Sequence, residues 1–311
     1  MSAPLGSSLR WRVLCITAMA RPSLRLEANA PGAFYVDSSC IDCGTCWQWD
    51  PDHFAQAGTT AKVWHQPVTD EEIDRALLAV QACPVTAIGG PAALLGRTPT
   101  DGFPALLTRH PAGDVHYCGW ASAKSFGASS YLIVRPDGNV LIDSPRFNAP
   151  LARRIAALGG LAAIVLTHRD DVADHGRWAD RFGCRRWIHR ADADAAPEAE
   201  HLVEGEQPLL LDRDLCLIPT PGHTAGSMVA LLGGQILFSG DHLWWSEAEQ
   251  AVVASRRYCW WDWPRQVMSV ETLHHLNVHW LLPGHGLRRT FAPGEWSRQL
   301  ERTLAHCRSS G

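Results

Sequence analysis

Lysine is almost missing from this chain: of 28 basic residues only Lys62 and Lys124 are lysines, which reads as a base-composition bias rather than a function. A basic excess is missing too. The formal net charge is −4, so nothing points to a nucleic-acid partner. No apolar run approaches the ~20 residues that span a bilayer, and no membrane span is expected. The longest near the start, "VLCITAMA", follows Arg10 and Arg12 and ends on small residues, a weak mimic of an export signal. An equally simple reading makes residues 1–18 dispensable, with Met19 an alternative start to Met1 and the protein cytoplasmic. The remaining composition, 46% hydrophobic and 19% charged over 311 residues, is that of a globular protein with room for two domains.

Ten cysteines are present, but a disulfide pattern is not. Cys15, Cys118, Cys184, Cys216, Cys259 and Cys307 show no pairing, and a cytosolic protein would keep them reduced. The other four are ordered. "CIDCGTCWQWDPDHF" sets Cys40, Cys43 and Cys46 at intervals of three, and "QACPVTAIGG" adds a distant Cys83 followed by Pro84. This is the C-x2-C-x2-C … C-P arrangement of a cubane iron–sulfur cluster, in which a short loop offers three thiolates and a remote one closes the cage. Gly44 suits a backbone that must come close to the cluster. No second triple surrounds Cys83, so one [4Fe-4S] cluster is expected. A zinc site is the competing reading, although zinc usually takes two paired C-x2-C knuckles. "AFYVDSSC" reads as a short strand leading in, and "TDEEIDRALLAVQAC" as a helix capped by Thr69. Residues from about 33 to 90 thus resemble a single-cluster bacterial ferredoxin.

Past residue 90 the chain turns rich in Gly and Pro, then alternates strand and helix patterns. "SYLIV" and "VLIDS" flank the turn "RPDGN", "APLARRIAALGG" reads as an amphipathic helix, and the apolar strand "LAAIVLT" ends on His168. Three later strands end similarly: "DLCLIPT" runs into His223, "QILFSG" into Asp241 and "NVHWLLPG" into His285. Successive strands that carry ligand-type residues at their ends build a site along one edge of a sheet. The strings "THRDDVADH", "PGHTAGS", "SGDH" and "PGHG" together resemble the metallo-β-lactamase fold superfamily, with "GHTAGS" most similar to its glyoxalase II branch. The pairing with a ferredoxin also resembles bacterial and plant proteins described as ferredoxin-linked metallo-hydrolases.

The resemblance implies an α/β fold, a four-layer αββα sandwich over about residues 105–290, preceded by a small α+β ferredoxin-like domain. The expected boundaries are 1–30 for an N-terminal extension, 31–92 for the 4Fe-4S domain, 93–110 for a linker and 111–311 for the sandwich. It also implies one or two divalent ions, zinc or iron, held by His168, Asp174, His175, His223, Asp241 and His285, with Asp241 as the bridge and Asp174 orienting a catalytic water. In "THRDDVADH" an Asp replaces the second His of the superfamily string and two residues are added before the final Asp-His. Asp170 has the right offset for the missing ligand; Asp171 and neither residue are the alternatives. A carboxylate there suits iron or manganese better than a third imidazole would.

Lys124, Arg256 and Tyr258 are candidate substrate contacts, the last two in the Trp-rich string "SRRYCWWDWP", whose other reading is simple cover for core or domain interface. His242 is expected at the surface. Three functions compete. The first is a metal-dependent hydrolase of a thioester or ester. The second is an iron-dependent redox enzyme, similar to flavodiiron proteins or persulfide dioxygenases and fed by the ferredoxin domain. The third is an electron-transfer or sensing module with a silent partner domain. A small-molecule substrate and a redox partner protein are the expected partners.

Overall fold

The computed structural model describes residues 19–97 and 102–309. Residues 13–18 of the string "VLCITAMA", Cys15 among them, and the question of residues 1–18 lie outside them. None of the described helices is long and apolar enough to cross a membrane.

The N-terminal unit holds β1 (Tyr35–Val36), α1 (Thr45–Trp49), the hairpin of β2 (Phe54–Ala57) and β3 (Thr60–Val63), α2 (Asp70–Ala82) and β4 (Ile88–Gly89). Strands β1 and β4 pair antiparallel and close the unit over Phe34, Val36, Phe54, Val63, Ala76 and Leu77. Helix α2 starts as its sequence predicts. Thr69 and Glu72 form a capping box that satisfies backbone donors at both positions, and Asp70, Glu71 and Glu72 complement the positive end of the helix dipole. Residues expected in the extension belong here: the buried Asn29 side chain accepts from Val36 N and Val63 N and donates to Val36 O.

After the short α3 (Ala92–Leu95), two sheets follow. The first contains β5 (Ala105–Thr108), β6 (Asp114–Tyr117), β7 (Tyr131–Val134), β8 (Val140–Ile142), β9 (Ala163–Val165), β10 (Arg185–His189) and β11 (His201–Val203), in the order β11-β10-β9-β8-β7-β6-β5. Strand β5 falls in the range expected as linker yet forms the edge of this sheet, because Leu106 and Ala105 find backbone partners on β6. The second sheet contains β12 (Leu209–Leu210), β13 (Leu215–Pro219), β14 (Met228–Leu232), β15 (Ile236–Gly240), β18 (Trp280–Pro283) and β19 (Arg289–Thr290), with the small ribbon β16 (Trp244–Ser246) and β17 (Ala251–Val253) beside it.

Alternation along the strands decides the layers. Met228, Ala230 and Leu232 face the core between the sheets with Tyr131, Ile133 and Val140, and Tyr131 reaches across to Phe238 and Pro283. Val229 and Leu231 face the other way, towards Val270, Trp296 and Leu300 of α6 (Trp263–Thr272) and α7 (Glu295–Ser309). On the outer side of the first sheet, Leu151 and Ile155 of α4 (Ala149–Ala157) and Trp178 of α5 (His175–Phe182) complete the sandwich. The expected αββα architecture is therefore present.

The two units share a core. Trp49 of α1 stacks on Tyr117 at 5.7 Å between ring centroids and meets Phe103 edge-on at 5.0 Å. Leu78 and Ala82 of α2 are buried in the same cluster as the sheet residues. Backbone bonds cross the junction from Ala121 N to Ala82 O, and Thr45 Oγ1 donates to Gly127 O at 3.0 Å.

Candidate functional site

Two donor sets arise from the chain at separate places. Cys40, Cys43, Cys46 and Cys83 line one small cavity with the apolar side chains of Val36, Ile41, Ala61 and Ile88. Cys43 and Cys46 flank the start of α1, whose preceding residue Gly44 is in the left-handed region at φ +82°, and Cys83 caps the end of α2. Ala61 N donates to Cys40 Sγ and Ala87 N to Cys83 Sγ, both at 3.3 Å. Burial raises the thiols of Cys43 and Cys46 and pushes Cys83 up to about 11, and the neighbouring cysteines add repulsion. Four sulfurs crowded into one small apolar cavity, two of them accepting backbone N–H bonds, fit a cage that holds a cationic iron–sulfur core.

The second set gathers where β9, β13, β15 and β18 end. Asp241 is central: its Oδ2 lies 3.7 Å from His168 Nε2, 3.8 Å from His223 Nε2 and 3.8 Å from His285 Nε2. Asp170 Oδ2 lies 3.5 Å from His223 Nε2 and 3.9 Å from His168 Nε2. Donor atoms of His168, His223 and Asp241 approach within 4.8 Å of one another, as do those of Asp171, Asp241 and His285. Atoms that each stand ~2 Å from a common ion are spaced in this way. Two metal positions sharing Asp241 are thus outlined.

The donors are also unsatisfied without an ion. His168 Nε2, His223 Nε2, Asp241 Oδ1 and both carboxylate oxygens of Asp171 are buried with no hydrogen-bond partner among the described residues. Such groups are costly unless something cationic joins them. Burial first, then the charges of Asp241 and Asp143, push the Asp171 carboxyl well above the usual range. Burial acts on Asp241 as well, but His285, His168 and His223 outweigh it and hold that carboxyl low. The His223 ring, 3.5 Å away, holds the Asp170 carboxyl below its usual range. Gly284 leaves room for the pair, since a Cβ there would stand 2.7 Å from Asp241 Oδ1 and 2.9 Å from Asp171 Oδ2.

Supporting groups set the rings. His223 Nδ1 donates to Tyr258 O at 2.6 Å, which leaves Nε2 as the lone-pair nitrogen in the neutral ring. His168 Nδ1 meets Thr167 Oγ1 at 3.0 Å, and that hydroxyl is held by both oxygens of Asp143. Burial pushes the Asp143 carboxyl up to about 8. Asp192 accepts from Arg169 N, Thr224 Oγ1 and Gly226 N, tying the loop after β9 to the loop after β13. Sequence reasoning missed Asp143, Thr167 and Asp192. Asp143 carried a signal, an Asp that ends the apolar strand "VLI" as the ligand residues end theirs.

Asp174 and His175 are not brought to this centre. The added residues form a 3-10 turn over Arg169–Asp171, so Asp171 occupies the place expected for Asp174, and Asp174 becomes the residue preceding α5. Asp174 instead accepts from Lys124 Nζ at 2.7 Å and from Phe147 N at 2.9 Å. His175, in the first turn of α5, is buried in the field of Arg186, Glu198 and Glu200. Asp170 and Asp171, weighed as alternatives, both join. His242 is buried rather than at the surface, with its carbonyl bonded to Gln266.

The second donor set opens on a cavity of about 490 Å³, a size that suits a small molecule. Asp170, Asp171, His223, Asp241 and His285 line it, together with Lys124, Ser125 and Phe126. Tyr258, Trp260 and Trp244 contribute aromatic surface, whereas Arg256 is exposed and not part of the lining. Asp42, Cys43, Trp47 and Gln48 of the N-terminal unit complete it.

Comparison with known proteins agrees with both halves. Residues 36–90 match the family described as the 4Fe-4S single cluster domain of Ferredoxin I. A hydroxyacylglutathione hydrolase of Xanthomonas axonopodis pv. citri (strain 306) is 31% identical over 116 residues, 36% of this chain and 45% of that protein. The chain thus spans less than half the length of that curated relative. Among solved structures, DIM-1 metallo-β-lactamase superposes with a TM-score of 0.50 at 16% identity, covering 67% of this chain and 99% of its own. VMB-1 gives a TM-score of 0.50 at 15% identity with the same coverage. These likenesses show the metallo-β-lactamase fold, here joined to a 4Fe-4S ferredoxin region.

Proposed function

We propose that this chain is a metal-dependent hydrolase of a thioester or ester, with one [4Fe-4S] cluster on Cys40, Cys43, Cys46 and Cys83. One or two divalent ions, zinc or iron, would be held by His168, Asp170, His223 and Asp241 on one side and by Asp171, Asp241 and His285 on the other. The observation that carries this reading is the pair of donor groups sharing Asp241 and facing a single small-molecule cavity. An ion bound there lowers the pKa of a bound water towards ~7 and polarises a carbonyl. The protein does the rest: His223 and His168 are locked in one ring orientation, and aromatic side chains wall the cavity beside them. Half-exposed Asp170 can accept a proton or a hydrogen bond from a water in the cavity. The relative named for a hydroxyacyl conjugate of glutathione supports an acyl substrate. A cytoplasmic location and a redox partner protein for the cluster accompany this proposal.

A second reading, an iron-dependent redox enzyme, is favoured by two observations. The ligand set replaces an imidazole with the Asp170 carboxylate, which suits iron. A cluster ligand, Cys43, lines the metal cavity, and Cys43 Sγ lies 3.2 Å from Thr45 Oγ1, which donates to Gly127 O; two residues on, Ser129 N donates to Gly284 O, next to His285.

Elemental analysis of anaerobically purified protein, with EPR after dithionite reduction, separates the readings. About four irons with one or two zincs per chain, together with turnover of acyl thioesters, is the outcome expected for a hydrolase. About five or six irons without zinc, and consumption of oxygen, nitric oxide or a persulfide, would replace it with the redox enzyme.

A further inference from the structure

The cavity over the metal-binding donors is not built by the sandwich alone. Asp42, Cys43, Trp47 and Gln48 line it from the ferredoxin unit. Trp47 and Gln48 are not required by the cluster cage, whose lining includes neither. Facing the same space, Phe126 stands 6.2 Å from the His285 ring and Trp260 6.1 Å from the His223 ring, centroid to centroid. Both aromatics are left 55% and 65% exposed, next to two metal-ligand histidines. Large apolar surface held open beside polar donors marks a place where an apolar group is meant to lie.

The ferredoxin wall is also fixed. Gly127, at φ +87°, follows Phe126 and packs so tightly on the cluster loop that a Cβ there would stand 2.6 Å from Cys43 Cβ. The Thr45–Gly127 hydrogen bond and the shared core around Trp49 hold the same contact. A wall pinned in this way cannot swing off the cavity without breaking the junction.

We propose that the ferredoxin unit supplies one wall of the substrate pocket, and that Trp47 and Gln48 contact the non-reacting part of the substrate, an apolar or aromatic acyl group. The identity of the reacting end rests on the acyl-hydrolase reading. The contact itself is a matter of binding, and it gives the fused ferredoxin a role in specificity whether or not electrons pass.

The test uses the intact holoprotein and product-like carboxylates: acetate, n-octanoate and phenylacetate, titrated by isothermal calorimetry. Trp47→Ala is expected to weaken octanoate and phenylacetate roughly tenfold or more while leaving acetate unchanged, as loss of a large buried contact does. Phe126→Ala serves as the control on the sandwich side. Cluster absorption and elemental metal content are measured on every variant. Where Trp47→Ala loses the cluster, Gln48→Ala decides, with about threefold weaker octanoate binding expected. Octanoate binding that is unchanged in these variants, but weakened by Phe126→Ala, would overturn the proposal, as would a holoprotein that binds acetate and octanoate equally. Size-dependent binding without turnover of any acyl thioester would sink the hydrolase reading and leave the wall in place.

Discussion

Asp171 is about 1% exposed, and neither of its carboxylate oxygens has a hydrogen-bond partner among the described residues. A carboxylate in that state is tolerated when it ligates a cation. Asp171→Ala and Asp170→Ala are each expected to lower the metal content of the second centre while leaving the cluster absorption intact. Asp174→Asn, by contrast, should leave metal content unchanged and only release Lys124 and Phe147, a loss read as a lower Tm. Elemental analysis of the three variants side by side checks this assignment; depletion in Asp174→Asn alone would reverse it. One step back from the ligands, Thr167→Val removes the hydroxyl between His168 and Asp143, and about 10–100-fold weaker metal binding is expected from competition with a chelator.

Elements carry the ligands, so their ends matter more than their middles. Helix α2 begins at a capping box and ends on Cys83, which makes the cap a remote support for the cluster. Thr69→Ala should cost about 1 kcal/mol, seen as a lower Tm and faster loss of the 4Fe-4S absorption under air. At the far edge of the first sheet, Arg186 on β10 clamps Glu200 beside β11 through its guanidinium and backbone N–H. That hydrogen bond holds the Glu200 carboxyl down at about 2, below the usual 4.5. Because the folded value is the lower one, the clamp stabilises fully above pH ~4.5 and is lost as pH falls from there towards ~2. Glu200 is 41% exposed, so solvent screening keeps the effect modest. Acid unfolding of Glu200→Gln should accordingly be flatter than wild type in that window; parallel curves would mean the clamp adds nothing.

At the scale of the whole molecule, the ferredoxin unit and the sandwich are joined by buried aromatics rather than by a tether. Trp49, Phe103, Tyr117 and Tyr131 form one continuous set of ring contacts from α1 into the sheets. A single calorimetric transition is expected for the holoprotein, with Gly127→Val both lowering it and reducing cluster content, since its side chain would press on Cys43 and Thr45. Two well-separated transitions would show instead that the units fold independently.

By itself the sequence marked the spacing of Cys40, Cys43, Cys46 and Cys83 and the run of strand-end residues His168, His223, Asp241 and His285, because a linear string records local spacing and periodicity directly. The layered α/β class followed from the resemblance that those strings carry. The sequence left open which acid would stand beside Asp241, because a two-residue insertion can be absorbed as a bulge, a turn or a longer helix; in the fold the 3-10 turn brings Asp171 next to Asp241 and Gly284. Nor did it show Asp143 as a support, since its carboxylate reaches the Thr167 hydroxyl beside His168 only when β8 and β9 lie side by side. The largest tertiary decision is the docking of the two units. Trp47, Cys43 and Gln48 meet His285 and Asp241 around one cavity although the sequence places them more than a hundred residues apart, and burial of shared aromatic surface is the physical reason.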